Sequence, residues 1–171
     1  MEHNHSRCCG HDHTEHKHCC DTEHKCCCGH QNMEIPKLSD EENVFLTQLA
    51  KTPFLPIVSF VARSSKSSHL ENIMLSPVYI EDEKDSLEII KIRSVILDNL
   101  EEKGVISIDY DIMIENTNHD IYSIYKNSDA YNYFSETINE SKNNPNFVFD
   151  IADLEYGSIA LTGIGQMLLD D

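Results

Sequence analysis

Fifteen of the first thirty-one residues are Cys or His, and none of the thirty-one is Leu, Ile, Val, Phe, Tyr or Trp. This stretch, MEHNHSRCCGHDHTEHKHCCDTEHKCCCGHQ, has no apolar surface to bury. Ordering a chain costs conformational entropy that only burial or a bound ligand can offset. Residues 1–31 are therefore expected to be a tail that is disordered without a ligand. Residues 32–38 read as a linker, and residues 39–171 as one acidic domain. A domain of that length can bury a sizeable core without help from metal or disulfide.

The tail is built from a repeated unit. Thr14-Glu15-His16-Lys17-His18-Cys19-Cys20 returns as Thr22-Glu23-His24-Lys25-Cys26-Cys27-Cys28, and Cys9-Gly10-His11 returns as Cys28-Gly29-His30. Thiolate and imidazole are the preferred ligands of Zn, and Cys is the soft ligand for Cu(I). The candidate ligands are His3, His5, Cys8, Cys9, His11, His13, His16, His18, Cys19, Cys20, His24, Cys26, Cys27, Cys28 and His30. Adjacent pairs such as Cys8-Cys9 diverge and suit clusters or soft ions. His pairs one residue apart, such as His16 and His18, suit Ni, Co or Zn. Transition-metal ions are the expected cofactors, with Zn first and Ni, Co or Cu as alternatives. Met1-Glu2-His3 resembles the amino-terminal copper and nickel motif, in which a third-position imidazole completes a square-planar site.

Other uses of these cysteines fit less well. All seven lie between Cys8 and Cys28 and none in the domain, whereas a disulfide framework staples the fold it belongs to. Their odd number also argues against a closed disulfide set. A catalytic thiol needs a shaped site around it. Reduced thiols, no apolar run of membrane-spanning length and no apolar stretch at the N-terminus together predict a cytoplasmic protein that does not cross a membrane.

Of the chain's 30 acidic and 13 basic residues, 25 acids and 10 bases fall in residues 32–171. Nucleic-acid binding depends on cations that neutralise phosphates, so this balance makes DNA an unfavourable partner.

Within the domain, Ser39-Asp40-Glu41-Glu42 reads as a helix start with a capping box. Its apolar face is Val44, Phe45, Leu46 and Leu49. Residues 54–62 are apolar enough for either a strand or a short helix. Residues 64–68 form a serine-rich loop, and Asn72–Ile80 is β-rich and ends at the acidic turn Glu81-Asp82-Glu83. The clearest helix is Asp85–Lys103, with Leu87, Ile89, Ile90, Ile92, Val95, Ile96, Leu97 and Leu100 on one broad face. Gly104 ends it. Val105–Ile114 alternates as a strand, and Ile121–Tyr125 is expected to pair with it. Ser128 caps a helix over Asp129–Lys142, with Tyr131, Phe134 and Ile138 inward. Phe147–Asp150 and Ser158–Leu161 read as short strands, and Thr162 as the cap of a last helical turn.

The run Leu97-Asp98-Asn99-Leu100-Glu101-Glu102-Lys103-Gly104-Val105-Ile106 resembles the end of the third helix of a winged-helix domain entering its wing. Leu161-Thr162, Gly165 and Leu168 resemble the segment after the wing. The resemblance implies an α+β, small winged-helix-like domain after the disordered tail, and with it a metal-responsive transcription regulator. Two departures weigh against DNA binding: some fifty residues separate the segments, and the helix that would read DNA has only Lys91 and Arg93 as interior cations.

No enzymatic constellation is present. His69 and His119, the only domain histidines, lie in polar contexts. Asp109 and Asp111 share a face of the expected strand, a pairing that suits acid–base work or a cation but reads first as an ordinary solvated face. There is no phosphate-binding glycine loop, and too little chain follows Gly163 and Gly165 to form one. The expectation is a non-enzymatic metal-binding accessory protein that buffers, stores or delivers metal and docks with a protein partner; a homodimer is compatible with the sequence.

Overall fold

The structure, a computed structural model, describes residues 35–170 apart from 53, 116–119 and 145. The domain is α+β. Its elements are α1 (Asp40–Leu49), β1 (Leu55–Ser64), β2 (Ser67–Val78), α2 (Leu87–Glu102), β3 (Ile106–Asp109), α3 (Ser123–Asn127), α4 (Asp129–Ser141), β4 (Ile151–Leu161) and α5 (Gly163–Asp170). One antiparallel sheet has the order β2-β1-β4-β3.

The ambiguous apolar run is a strand because it is central and covered on both faces. Val58, Phe60 and Ala62 face one cluster with Leu154, Tyr125, Phe134 and Ile138. Ile57 belongs to the other, with Phe45, Leu46, Leu49, Leu97, Leu100 and Ile159. The β1–β4 ladder runs without interruption from Leu55↔Ile159 to Arg63↔Ile151. The serine loop contracts to a two-residue turn, Ser65-Lys66, between paired Ser64 and Ser67.

Helix ends follow local chemistry. Ser39 and Glu42 form the full capping box of α1. Ser128 accepts from the Tyr131 amide to cap α4. Gly104 takes φ +68°, the left-handed conformation that closes α2. Thr162 Oγ1 accepts from the Gly165 amide at 3.1 Å and donates to the Gly104 carbonyl at 2.6 Å, tying α5 to the end of α2. Gly165 is required by close approach: a Cβ there would lie 2.3 Å from the Val105 carbonyl oxygen.

Four sequence expectations are corrected. The expected strand Ile121–Tyr125 falls in a turn and the short helix α3. A helical turn sends residues three apart the same way, and Tyr122 and Tyr125 both enter the first core cluster. The Tyr125 hydroxyl donates to the Pro56 carbonyl and that of Tyr122 to the Gly157 carbonyl. The partner of β3 is β4 instead.

Residues 147–150 are not a strand. Their would-be neighbour, β1, ends at the hairpin turn, where the Asp150 carboxylate accepts from the Ser65 amide and hydroxyl. The strand expected over Val105–Ile114 stops at Asp109, whose carboxylate accepts from the Asp111 amide at 2.7 Å.

The broad apolar face expected on α2 is two faces. Ile90, Ser94, Leu97 and Leu100 are buried, while Ile89, Ile92 and Val95 are 42%, 61% and 58% exposed. At 100° per residue Ile92 and Val95 lie on the side of the helix opposite Ile90 and Leu97.

Candidate functional site

All fifteen candidate metal ligands, from His3 to His30, lie outside the described residues, as does His119. Among the described residues, no group of three or more His, Cys, Asp or Glu side chains is placed to hold a metal ion. His69 is exposed on β2. Asp109 and Asp111 do not share a strand face, because the strand ends between them.

The described domain instead offers a surface along α2, and it is built from the capping residues upward. Glu42 is 3% exposed. Its Oε2 accepts from the Ser39 amide at 2.7 Å, and its two oxygens lie 2.7 and 2.6 Å from Lys103 Nζ. Burial pushes the Glu42 carboxyl up. The Lys103 hydrogen bond, the Ser39 amide and the Lys103 charge together outweigh that and hold it below the ordinary glutamate range. This bridge fixes the start of α1 against the end of α2. Beside it lies a groove of about 700 Å³ whose apolar floor is Ile92, Val95 and Ile96.

The cations of α2 are largely committed. Arg93 pairs with Glu81 at 2.5 Å and with Asp85, and its guanidinium sits 5.8 Å from the centre of the Tyr79 ring. Asp85 also accepts from the Glu81 and Asp82 amides. Burial raises the Asp85 carboxyl, but these amides and Arg93 lower it further, to a net value below the usual range. Asp98 moves the other way: burial and the neighbouring charge of Glu102 push its carboxyl up. Arg63, on β1, is likewise paired, with Glu71 and Asp153.

No protein-family model matches this chain, and no curated protein or solved structure shows significant similarity to it. Among the described residues no helix is long and apolar enough to cross a membrane.

The groove was the feature hidden from the sequence. A signal did exist: eight apolar residues on α2 are more than one core-facing stripe of a sixteen-residue helix needs.

Proposed function

We propose that this is a cytoplasmic, non-enzymatic transition-metal-binding accessory protein. Its Cys/His-rich N-terminal segment buffers, stores or delivers metal, and its folded domain docks with a protein partner. The observation that carries the reading is the concentration of fifteen soft and borderline ligands in thirty-one residues that hold nothing able to form a core. Zn is the first candidate, with Ni, Co or Cu as alternatives. The exposed apolar stripe on α2 supports the docking half of the reading.

The test is a titration of reduced, full-length protein with Zn. Four ligands per tetrahedral ion allow at most about three complete sites from the chain alone. Deleting residues 1–31 should abolish tight binding. A truncated domain that still holds stoichiometric Zn would place the site elsewhere and sink the assignment.

The second reading is a metal-responsive winged-helix regulator. The passage of α2 into β3, the pairing of β3 with β4 and the capping of α5 by Thr162 support that likeness, although α3 and α4 lie between β3 and β4 in the chain. A long β-hairpin precedes α2, however, where a helix-turn-helix would carry another helix. The outward face of α2 is apolar, and its exposed charged residues are acids except for Lys91.

A further inference from the structure

We infer that the exposed face of α2 is a docking groove for a basic amphipathic helix of a partner protein. The inference rests on the docking half of the function proposed above and adds the chemistry of the partner. Ile89, Ile92 and Val95 form the exposed stripe, with Ile96 half-buried beside it. Ile92 and Val95 lie on the side of α2 opposite the buried Ile90 and Leu97, so these side chains contribute little to the domain's own core. The wall of the groove is α1, held in place by the Glu42–Lys103 bridge. A concave apolar strip between two helices suits a third helix that places anchors at positions i, i+3 or i+4, and i+7.

The rim selects the sign of the partner's charge. Glu41 lines the groove, and Glu88, Asp98 and Glu102 are exposed farther round α2. Of the two cations beside it, Lys103 is already neutralised by Glu42, which leaves Lys91. The Asp98 carboxyl is pushed up mainly by burial and further by the charge of Glu102, and an incoming Lys or Arg would favour its charged form. A second copy of this chain fits less well, because pairing α2 with α2 would set these carboxylates against their equivalents. The wider domain, with 24 acids and 9 bases in residues 39–171, steers cationic partners toward it.

The experiment uses full-length, reduced protein with and without Zn. The probe is a labelled helical peptide with Leu at positions i, i+3, i+4 and i+7 flanked by Lys, and its counterpart carries Glu in place of Lys. The Lys peptide should bind and perturb the backbone resonances of α2. Ile92→Asp with Val95→Asp should weaken it at least about tenfold, as expected for central apolar anchors. Both residues are exposed, so the fold should persist, which backbone spectra will verify. Asp98→Lys with Glu102→Lys should shift preference toward the Glu peptide. Glu136→Lys with Glu140→Lys, on the exposed side of α4, should leave the affinity for both peptides within about twofold. The inference is overturned if both peptides bind alike, if neither binds, or if the α4 variants weaken binding as much as those on α2. It is also overturned if the free protein is a dimer that Ile92→Asp dissociates, for then a second copy holds the groove. Zn stoichiometry measured on the same samples keeps a failure of the groove distinct from a failure of the metal assignment.

Discussion

Glu42 of α1 and Lys103 at the end of α2 are sixty-one positions apart, yet both carboxylate oxygens lie within 2.7 Å of the ammonium nitrogen. The same carboxylate closes the capping box of α1, so one buried side chain fixes a helix start and a helix–helix contact together.

Replacing Glu42 with Gln should cost about 2 kcal/mol at pH 7, less than for a fully buried pair because Lys103 can turn toward water. The difference should shrink in acid. Glu42 and Asp85 are both held below their ordinary values in the folded domain, so each binds its proton less readily folded than unfolded. Their stabilisation is present above the ordinary carboxylate range, about pH 4, and is lost as pH falls through the lowered folded values. Thermal melts of wild type and Glu42→Gln between neutral pH and about pH 3 should converge. A gap that widens in acid would contradict the assignment.

The two faces of α2 predict opposite responses to truncation. Leu97 is fully buried, and Leu97→Ala should destabilise the domain by about 3 kcal/mol. Ile92→Ala, on the exposed stripe, should change stability by no more than about 0.5 kcal/mol. Urea unfolding of the two variants checks this, and equal losses would mean that α2 is buried on both sides.

At the junction of α5 and β3, Gly165→Ala should cost about 2 kcal/mol, because its methyl group would overlap the Val105 carbonyl. Gly163→Ala, with open space around it, should be neutral or slightly stabilising. Melting temperatures of the two variants distinguish these outcomes.

Metal binding by the N-terminal segment should weaken steeply as pH falls from about 7 to 5, because thiols must lose protons and imidazoles must be neutral to ligate. Competition with a chromophoric chelator across that range is the measurement. An affinity independent of pH would point to carboxylate ligands. Melts of the folded domain with and without chelator should coincide, since its two core clusters contain no Cys or His.

Duplex DNA should not be bound sequence-specifically at physiological salt, with or without Zn or Ni. Arg93 is committed to Glu81 and Asp85, and the outward face of α2 carries apolar side chains and carboxylates with Lys91 as its one unpaired cation among the described residues. A gel shift showing a specific site at nanomolar affinity would promote the regulator reading.

The sequence by itself determined what depends on short range. The ligand-rich segment stands apart because its composition holds nothing to bury. Ser39, Ser128 and Thr162 mark helix starts because a cap bonds to amides two or three residues away. Gly104 marks a helix end because it can adopt a positive φ. Only the tertiary structure decided what depends on distant neighbours. Residues 55–64 became a strand because β2 and β4 flank them and helices cover both faces. Residues 147–150 did not, because β1 had already turned away. The apolar residues of α2 divided into a core stripe and a bare one because one layer of sheet and helix can cover only one side of a helix. A residue's hydrophobicity states that burial would be favourable; which residues find a partner surface is settled by the fold.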